Sequence, residues 1–425
     1  METQHIIKVI TYSFYFFFFT KLIVQLILNF KNHNHINLNK NNVPQLFRRK
    51  VSIDDHRKAA KYNMDKLTFG RKSLIIHALI TLIWLPGGLL NKVDLWLRGF
   101  DLPMIYTGTL LFIIYALISL IASLPESIYE TFVLEEKYGF NKTNKSTFFL
   151  DFCKHLTIGA ILGIPLLLGI LWIIEQLGTW WWFYAWVFLT VTQLFLMWLY
   201  PVVIAPLFNK FTKLEEGDVK NTLEKLLERT NFSYKGIYVM DASKRSAHGN
   251  AYFTGVGNNK RIVFFDTLLE KLTPQQIEAV LAHELGHFKL KHVLKMLFIA
   301  LLSSFIGFAI LRLLADWEPF FHALYVQNPS SYMAIMLFTI VAPYYTFFLT
   351  PISAHFSRKH EYQADDFAAK YSDPKQLAEA LVNMYKENAS TLTPDPLFSR
   401  FYYSHPPAAE RVTALSNYKR SSVKN

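Results

Sequence analysis

The chain has 425 residues, of which 52% are hydrophobic and only 18% are charged, and its mean hydropathy is +0.19. These values exceed what a soluble core needs, so an ordinary soluble domain is excluded. The net charge of +12 comes mostly from Lys and Arg in loops that flank long apolar runs. Membrane topology therefore explains the charge, and no nucleic-acid partner is expected.

Seven apolar runs are long enough to cross a hydrocarbon layer of roughly 30 Å. They occupy residues 6–30, 73–90, 103–124, 155–174, 181–199, 293–314 and 332–356. The first run contains Lys21, is too long for a signal peptide and lacks a small-residue cleavage pattern, so we expect it to remain as a span. The Asn-rich stretch at 32–42 predicts a flexible linker. The sequence thus indicates a mostly α-helical, multi-pass protein embedded in a lipid bilayer.

The loops between the runs alternate in charge. One set is rich in Lys or Arg, whereas the other contains only Lys92 and Arg98. By the positive-inside rule the basic set is cytoplasmic, with the N-terminus outside and the C-terminus inside. The basic set comprises residues 31–72, 125–154, 201–292 and the tail after 357. Cys153 is the single cysteine, which excludes an intramolecular disulfide and a cysteine-based zinc site. The single cysteine and the short termini together favour a bacterial inner membrane over the endoplasmic reticulum as the host membrane.

The large loop 201–292 has the pattern of a small α+β domain. Residues 214–230 read as a charged amphipathic helix, and residues 236–240, 250–255 and 261–265 read as short strands. An edge strand of such a sheet can pair with an extended peptide. An ordinary hairpin that packs on the following helix accounts for the pattern equally well.

A strong helix start precedes a metal-binding motif in the stretch TPQQIEAVLAHELGHFKLKH (273–292). Its first four residues combine an N-cap, a proline at the first helical position and a capping box. Further along the same helix, His283, Glu284 and His287 form the H-E-x-x-H pattern. Residues four apart lie on one helical face, so the two imidazoles can bind one ion while Glu284 reaches a water molecule. The alternative is an amphipathic helix with two surface histidines.

A catalytic zinc ion takes three protein ligands, so a third must lie elsewhere in the chain. Glu361 and Asp365 are four residues apart on a predicted helix after the last apolar run. Glu361 is a candidate ligand, and Asp365 a candidate partner that hydrogen-bonds a ligand histidine. Asp366 and His360 compete locally for these roles. Without further context, a solvated acidic face is the simpler interpretation.

The chain resembles the integral-membrane type-I CAAX prenyl endopeptidases in a series of motif blocks that follow the same order. The resemblance extends over nearly everything from about residue 56 onward. The blocks are LPESIYETFVLEEKYGFNK (124–142), YPVVIAPLFNKF (200–211), SKRSAHGNAYFTG (243–255), NKRIVFFDTLL (259–269), LAHELGHFKLKH (281–292), SRKHEYQADDFA (357–368) and FSRFYYSHPPAAERV (398–412). The first fifty residues match no recognised pattern.

The resemblance implies a barrel of seven tilted helices around an intramembrane chamber that a zinc peptidase domain closes at one end. It assigns one Zn²⁺ to His283, His287 and Glu361, with Glu284 as the general base. Asp365 is implied as the hydrogen-bond partner of a ligand.

The resemblance also implies contacts with substrate. Asn250, with Ala251 and Tyr252 beside it, would touch the substrate backbone. His405 would stabilise the oxyanion, with Arg411 nearby. Without the family, His405 reads as a turn histidine before Pro406.

The expected function is a membrane zinc endopeptidase that uses zinc-activated water and removes the C-terminal -AAX tripeptide from prenylated CAAX peptides. A quality-control zinc protease with broader substrates is the alternative, and a channel or transporter with an incidental H-E-x-x-H is a lesser one. The active site is expected to face the cytoplasm. The expected divisions are 1–56 (first span and basic linker), 57–206 (spans two to five), 207–292 (peptidase domain), 293–356 (spans six and seven) and 357–425 (C-terminal helical part).

Overall fold

The computed structural model describes residues 2–254 and 260–418. Within them, seven helices are long and apolar enough to cross a membrane, and each overlaps one of the seven predicted runs. The helices are α1 (Glu2–Asn39), α2 (Ile53–Trp84), α3 (Leu89–Arg98), α4 (Met104–Tyr129), α5 (Glu136–Tyr138), α6 (Lys145–Gln176), α7 (Trp181–Leu199), α8 (Ala205–Phe208), α9 (Asp218–Arg229), α10 (Asp266–Leu269), α11 (Pro274–Lys289), α12 (His292–Ala315), α13 (Glu318–Ala323), α14 (Ser331–Thr346), α15 (Thr350–Tyr371), α16 (Pro374–Glu387), α17 (Pro396–Tyr402) and α18 (Ala408–Ser416).

Short irregular turns lengthen three of the spans. The π-helical turn Glu130–Glu135 joins α4 to α5, and the π-helical turn Tyr200–Ile204 joins α7 to α8. The 3₁₀ turn Phe347–Leu349 joins α14 to α15. The last span is therefore one path of 41 residues that ends far beyond its apolar part. Glu361 and Asp365 lie on this extension.

The spans do not converge on a packed axis. The share of each apolar window that is buried within the protein ranges from 0% in Gly178–Phe208 to 39% in Ser331–Tyr371. Helices of a solid bundle bury a continuous apolar stripe against their neighbours. Low burial on nearly every span means that most of its apolar surface is not covered by the rest of the described chain.

The Asn-rich stretch is helical and packed, so the prediction of a flexible linker at 32–42 is wrong for most of its length. Helix α1 runs to Asn39, and Asn32 is 3% exposed. The Asn32 side-chain oxygen accepts a hydrogen bond of 2.9 Å from the backbone N–H of Asp395. Beyond α1, Phe47 packs into the core of the peptidase domain. These contacts with distant residues order a segment that local composition marked as loop.

The second span differs from its predicted bounds of 73–90. Helix α2 begins at Ile53, because Ser52 caps it by accepting a hydrogen bond from the backbone N–H of Asp55. It ends at Trp84, before a turn in which Gly88 has φ of 72°. That left-handed conformation suits glycine, which has no Cβ.

A four-stranded sheet precedes the H-E-x-x-H helix. Its strands are β1 (Phe211–Lys213), β2 (Gly236–Met240), β3 (Ala251–Thr254) and β4 (Arg261–Phe265), in the spatial order β1-β2-β4-β3. Strands β2 and β4 are parallel, and the other two pairings are antiparallel. The three predicted strands are confirmed, whereas β1 was missed. Gly255, the last residue of predicted strand 250–255, lies outside the described residues, as does 419–425 of the predicted C-terminal part.

Helix α11 lies at the centre of the peptidase domain. Its apolar face, which includes Ile277, Leu281 and Leu285, is fully buried in a core shared with α9, α16 and the sheet. On another side, α11 packs along α15. The H-E-x-x-H helix and the end of the last span therefore share a long interface, which sets the position of the candidate site.

Candidate metal centre

The start of α11 is fixed by the predicted capping box. Thr273 accepts a hydrogen bond from the backbone N–H of Gln276, and the Gln276 side chain accepts one from the backbone N–H of Thr273. Such a box fixes where the first turn begins. The helical register that follows places His283 and His287 one above the other on the face toward α15.

Three donor groups converge between α11 and α15. The Nε2 atoms of His283 and His287 are 3.2 Å apart. Glu361 brings Oε2 to 3.4 Å from His283 Nε2, and Oε1 to 3.2 Å from His287 Nε2. Among the described residues, these three form the one group of His, Cys, Asp or Glu side chains with metal-binding spacing.

This cluster fits a tetrahedral zinc ion. Zinc–ligand distances of roughly 2.0–2.1 Å place the donor atoms of a tetrahedral centre about 3.3 Å apart, which matches the observed spacings. Glu361 Oε2 is also buried without a hydrogen-bond partner in the described part of the chain. A buried carboxylate oxygen without a hydrogen bond is costly unless another group compensates its charge. Two imidazoles and one carboxylate are the three protein ligands that a catalytic zinc site requires.

The second ring nitrogen of His283 is held by a buried ion pair. His283 Nδ1 lies 2.8 Å from Asp365 Oδ1. Arg411, which is 4% exposed, donates from Nε and Nη2 to the two Asp365 oxygens at 2.9 and 2.6 Å. Its Nη1 is 3.4 Å from Glu361 Oε2. Arg411 therefore contacts two of the acidic groups of the site at once.

These contacts shift the protonation of His283 in the metal-free protein. Burial is the largest influence and lowers the His283 pKa, but hydrogen bonds to Asp365 and Glu361 outweigh it and raise the pKa to about 9. Burial likewise lowers the pKa of Arg411, while its hydrogen bond to Asp365 and the charge of Glu361 raise it above its ordinary value. His283 must give up a proton before it can bind a metal ion.

The second ring nitrogen of His287 contacts a residue that the sequence did not single out. His287 Nδ1 lies 3.1 Å from His292 Nδ1, and His292 Nε2 lies 3.0 Å from the Gln363 side-chain oxygen. His292 and Gln363 both lie within the motif blocks at 281–292 and 357–368. The one signal for them in the sequence was that they are near the candidate metal ligands along the chain. Of the two competitors for the ligand role, His360 stacks on His292 and Asp366 is exposed.

Glu284 faces a cleft of about 460 Å³ beside the cluster. Its carboxylate has no hydrogen-bond or ion-pair partner among the described residues. Burial raises the Glu284 pKa above its ordinary value, and the charges of His283 and His287 act in the opposite direction. A half-buried carboxylate with free lone pairs and a raised pKa is suited to accept and return a proton.

His405 lines the same cleft as β3 and lies on the loop after α17. Its Nε2 is 3.3 Å from Glu361 Oε1, and its ring is 60% exposed. Ser404 Oγ is within 3.0 Å of His405 Nδ1. Arg358, which the sequence did not indicate, holds this loop by donating to the carbonyl of Tyr403 at 2.7 Å. A second cavity of about 420 Å³ shares Ser404 and His405 with the cleft.

The predicted substrate-binding residues lie at the edge of the sheet. Ala251 and Tyr252 belong to β3, which pairs with β4 on one side and with no strand of the described residues on the other. Tyr252 and Phe253 line the cleft together with Glu284. Asn250 precedes the strand, and its side-chain oxygen accepts a 2.8 Å hydrogen bond from the backbone N–H of Ala251. An unpaired strand edge thus borders the metal-binding cluster.

A helical bundle of seven spans with an H-E-x-x-H cluster at one end defines a membrane-embedded metallopeptidase. The comparisons with known proteins agree. A family model described as CAAX prenyl protease N-terminal, five membrane helices, matches residues 32–210, and one described as Peptidase family M48 matches residues 213–419. The chain belongs to the CAAX prenyl proteases of peptidase family M48. The interpretation of H-E-x-x-H as incidental to a channel or transporter is therefore wrong.

Individual relatives are similar over most of their length. The chain is 39% identical to CAAX prenyl protease 1 of Saccharomyces cerevisiae over 324 residues, covering 72% of this chain and 71% of that protein. It is 35% identical to CAAX prenyl protease 1 homolog of Homo sapiens, covering 85% and 86%. A crystal structure of S. mikatae Ste24p matches with a TM-score of 0.89 and 31% identity, covering 97% of this chain and 99% of the other. Since this match covers 97% of the chain, most of the first fifty residues, which matched no pattern, belong to the shared fold.

Proposed function

We propose that the protein is a zinc endopeptidase that removes the C-terminal -AAX tripeptide from prenylated CAAX substrates. The observation that carries this proposal is the convergence of His283, His287 and Glu361 beside Glu284 and an open strand edge. The names of the relatives supply the substrate class, since they are CAAX prenyl proteases.

The proposed ligands are His283, His287 and Glu361, and the proposed metal is zinc because imidazole and carboxylate donors in this spacing suit it. When bound, zinc lowers the pKa of a water molecule and polarises a carbonyl group. Asp365 holds His283 with Nδ1 protonated, which leaves Nε2 free as a donor. Arg411 holds Asp365 in turn, and so acts as a positioning residue.

Glu284 is the proposed general base. Its free lone pairs face the cleft, where it takes a proton from the attacking water and then returns one to the leaving amine. Burial favours the neutral form of Glu284, so this side chain is suited to hold the proton between the two steps. His405 lies within the same cleft and donates a hydrogen bond to the oxyanion as it forms.

The substrate backbone pairs with the free edge of β3. Main-chain hydrogen bonds to an edge strand hold an extended peptide without reading its side chains. Ala251 and Tyr252 supply the edge, and Asn250 at its start contacts the substrate backbone. The isoprenoid lies where the cleft meets α12, because Phe288, Val293 and Met296 line that end with apolar side chains.

The active site is proposed to face the cytoplasm, as the distribution of basic loops indicates. A prenylated protein is a substrate that eukaryotic cells supply, and the relatives described above are eukaryotic. The source of the proposed substrate and the eukaryotic relatives favour the endoplasmic reticulum over the bacterial inner membrane as the host membrane.

The test compares a farnesylated C-A-A-X peptide with its unprenylated copy, using the purified, zinc-loaded protein and mass spectrometry of the products. We expect release of the tripeptide from the farnesylated peptide and little cleavage of the copy. Equal cleavage of both peptides would replace the prenyl specificity with the broader quality-control function. Absence of cleavage from both would contradict the proposal.

Two variants on α15 test the ligand assignment. Glu361→Ala is expected to lose bound zinc, because it removes one of three donors. Asp366→Ala is the matched control, since Asp366 is an exposed acidic residue five positions along the same helix. Retention of one tightly bound zinc ion per chain by Glu361→Ala would refute the assignment.

A further inference from the structure

The two ligand histidines differ in what holds their second ring nitrogen. A carboxylate, Asp365, contacts His283 Nδ1, whereas another imidazole, His292, contacts His287 Nδ1. His292 is 2% exposed, so its ring is held almost entirely by protein contacts. Its other nitrogen lies 3.0 Å from Gln363 Oε1. Gln363 stands on α15 between Glu361 and Asp365, so one helix supplies a ligand and the support of both histidines.

The contacts define one consistent set of hydrogen positions. A neutral His287 that offers Nε2 as a metal donor carries its hydrogen on Nδ1. His287 Nδ1 then donates to His292 Nδ1, which must be a free lone pair. The hydrogen of His292 therefore sits on Nε2, where it donates to the Gln363 carbonyl oxygen. If the Gln363 amide were rotated so that its NH₂ group faced His292 Nε2, two N–H groups would face each other, either at this contact or at the His287–His292 contact.

Backbone geometry and stacking hold His292 in this place. Lys291, with φ of 58°, lies between α11 and α12 and turns the chain so that His292 points back toward His287. The His360 ring stacks on the His292 ring, with centroids 4.2 Å apart and planes 13° apart. His292 is also the first residue of the sixth span. The junction between the peptidase domain and the membrane bundle is thus part of the support of the metal site.

We propose that His292, fixed by Gln363, is a positioning residue that sets the tautomer and ring orientation of His287 for metal binding. The proposal rests on the proposed function, because it takes His287 as a zinc ligand. Groups that orient ligand histidines typically change metal affinity by about 10–100-fold when they are removed. The His292 side chain hydrogen-bonds to His287 and Gln363, and to neither Glu284 nor Glu361 among the described residues. Substitution of His292 is therefore expected to lower metal affinity before it changes proton transfer by Glu284.

The experiment measures the zinc dissociation constant of full-length, detergent-solubilised variants by chelator competition, and the visible absorption of the Co²⁺-substituted protein. His292→Leu and Gln363→Leu are each expected to weaken zinc binding about 10–100-fold and to change the cobalt spectrum. His292→Asn puts an amide oxygen near the position of Nδ1, and is expected to stay within about threefold of wild type. His355→Leu on the exposed part of α15 is the matched control and is expected to leave zinc affinity unchanged.

The double variant separates a shared role from general damage. If the two residues act in one chain of hydrogen bonds, His292→Leu with Gln363→Leu binds zinc about as weakly as His292→Leu alone. Wild-type zinc affinity in His292→Leu, or equal losses in His292→Leu and His292→Asn, would overturn the proposal. If His292→Leu does not fold, the Gln363→Leu result decides alone. Failure of the wild-type protein to bind zinc would instead contradict the proposed function.

Discussion

Gly286 stands between His283 and His287 on α11, and its Cα faces the backbone of α15 at Ala364. A Cβ atom built on Gly286 would lie 2.9 Å from the Ala364 Cα and 3.1 Å from the Ala364 carbonyl oxygen. These are backbone atoms, which cannot rotate away. A contact under 3.0 Å forces a shift, and ordinary contact begins at 3.4 Å, so Gly286→Ala is expected to separate the helices locally by about 0.5 Å, the difference between 3.4 and 2.9 Å.

That displacement exceeds what a metal site tolerates. Ligand distances in working sites stay within about 0.2 Å of their ideal values, and His283 and Glu361 stand on the two helices that separate. Overpacking typically costs about 1–3 kcal/mol of unfolding free energy, and replacing an interior helical glycine with alanine returns up to about 1 kcal/mol. We therefore expect Gly286→Ala to fold with a net loss of roughly 0–2 kcal/mol and to lose at least about tenfold in zinc affinity.

The assay is zinc binding by chelator competition, together with the rate of peptide hydrolysis at saturating zinc. Gly307→Ala on α12 is the matched control. The nearest atom to its added Cβ is Phe338 Cζ at 3.8 Å, so this variant needs no displacement and should bind zinc like wild type. Wild-type zinc affinity in Gly286→Ala would refute the reasoning, because it would show that the helix spacing does not set the donor spacing.

Three further predictions concern the supports of the site. His283 has a pKa of about 9 in the metal-free protein and must lose its proton to bind zinc. The zinc affinity should therefore rise about tenfold per pH unit from pH 7 toward pH 9 and level off above pH 9. A zinc affinity that does not change with pH over this range would contradict the prediction. Asp365→Asn removes the carboxylate that accepts two hydrogen bonds from the buried Arg411 and leaves Glu361, 3.4 Å from Arg411 Nη1, as its acidic neighbour. We expect a loss of roughly 3–5 kcal/mol of unfolding free energy and about 10–100-fold in zinc affinity, measured by thermal unfolding and chelator competition. Asn32→Leu leaves the backbone N–H of Asp395 without its acceptor, so the protein should lose about 1–3 kcal/mol of unfolding free energy while its zinc affinity stays unchanged. An unchanged unfolding temperature would show that α1 is not anchored at Asp395.

Local signals accounted for most of the fold and for two of the three residues of the candidate metal cluster. The start of α11 follows from adjacent residues, Thr273 to Gln276, and the structure has the predicted capping box. The spacing of His283 and His287 follows from helical geometry alone. Glu361 was a weaker local signal, since an exposed acidic face has the same pattern, and its place beside His287 depends on how two spans pack.

The features that the sequence analysis missed depend on contacts between distant residues. Strand β1 has only three residues, too few for a strand pattern, and is held by its pairing with β2. The packing of Asn32 against Asp395 joins residues 363 positions apart. In the sequence, His292 is one of several polar residues at the start of a span. Its contact with His287 depends on the left-handed conformation of Lys291, which the sequence does not indicate.

The central claim is that Glu284 acts on substrate at a zinc ion bound by His283, His287 and Glu361. Its most direct test is one measurement on Glu284→Gln: zinc content and cleavage of the farnesylated peptide in the same preparation. The account predicts one zinc ion per chain, as in wild type, with cleavage lost by at least about a hundredfold, since general acid–base catalysis typically contributes 10²–10⁴-fold. Near wild-type cleavage by a zinc-loaded Glu284→Gln protein would contradict it.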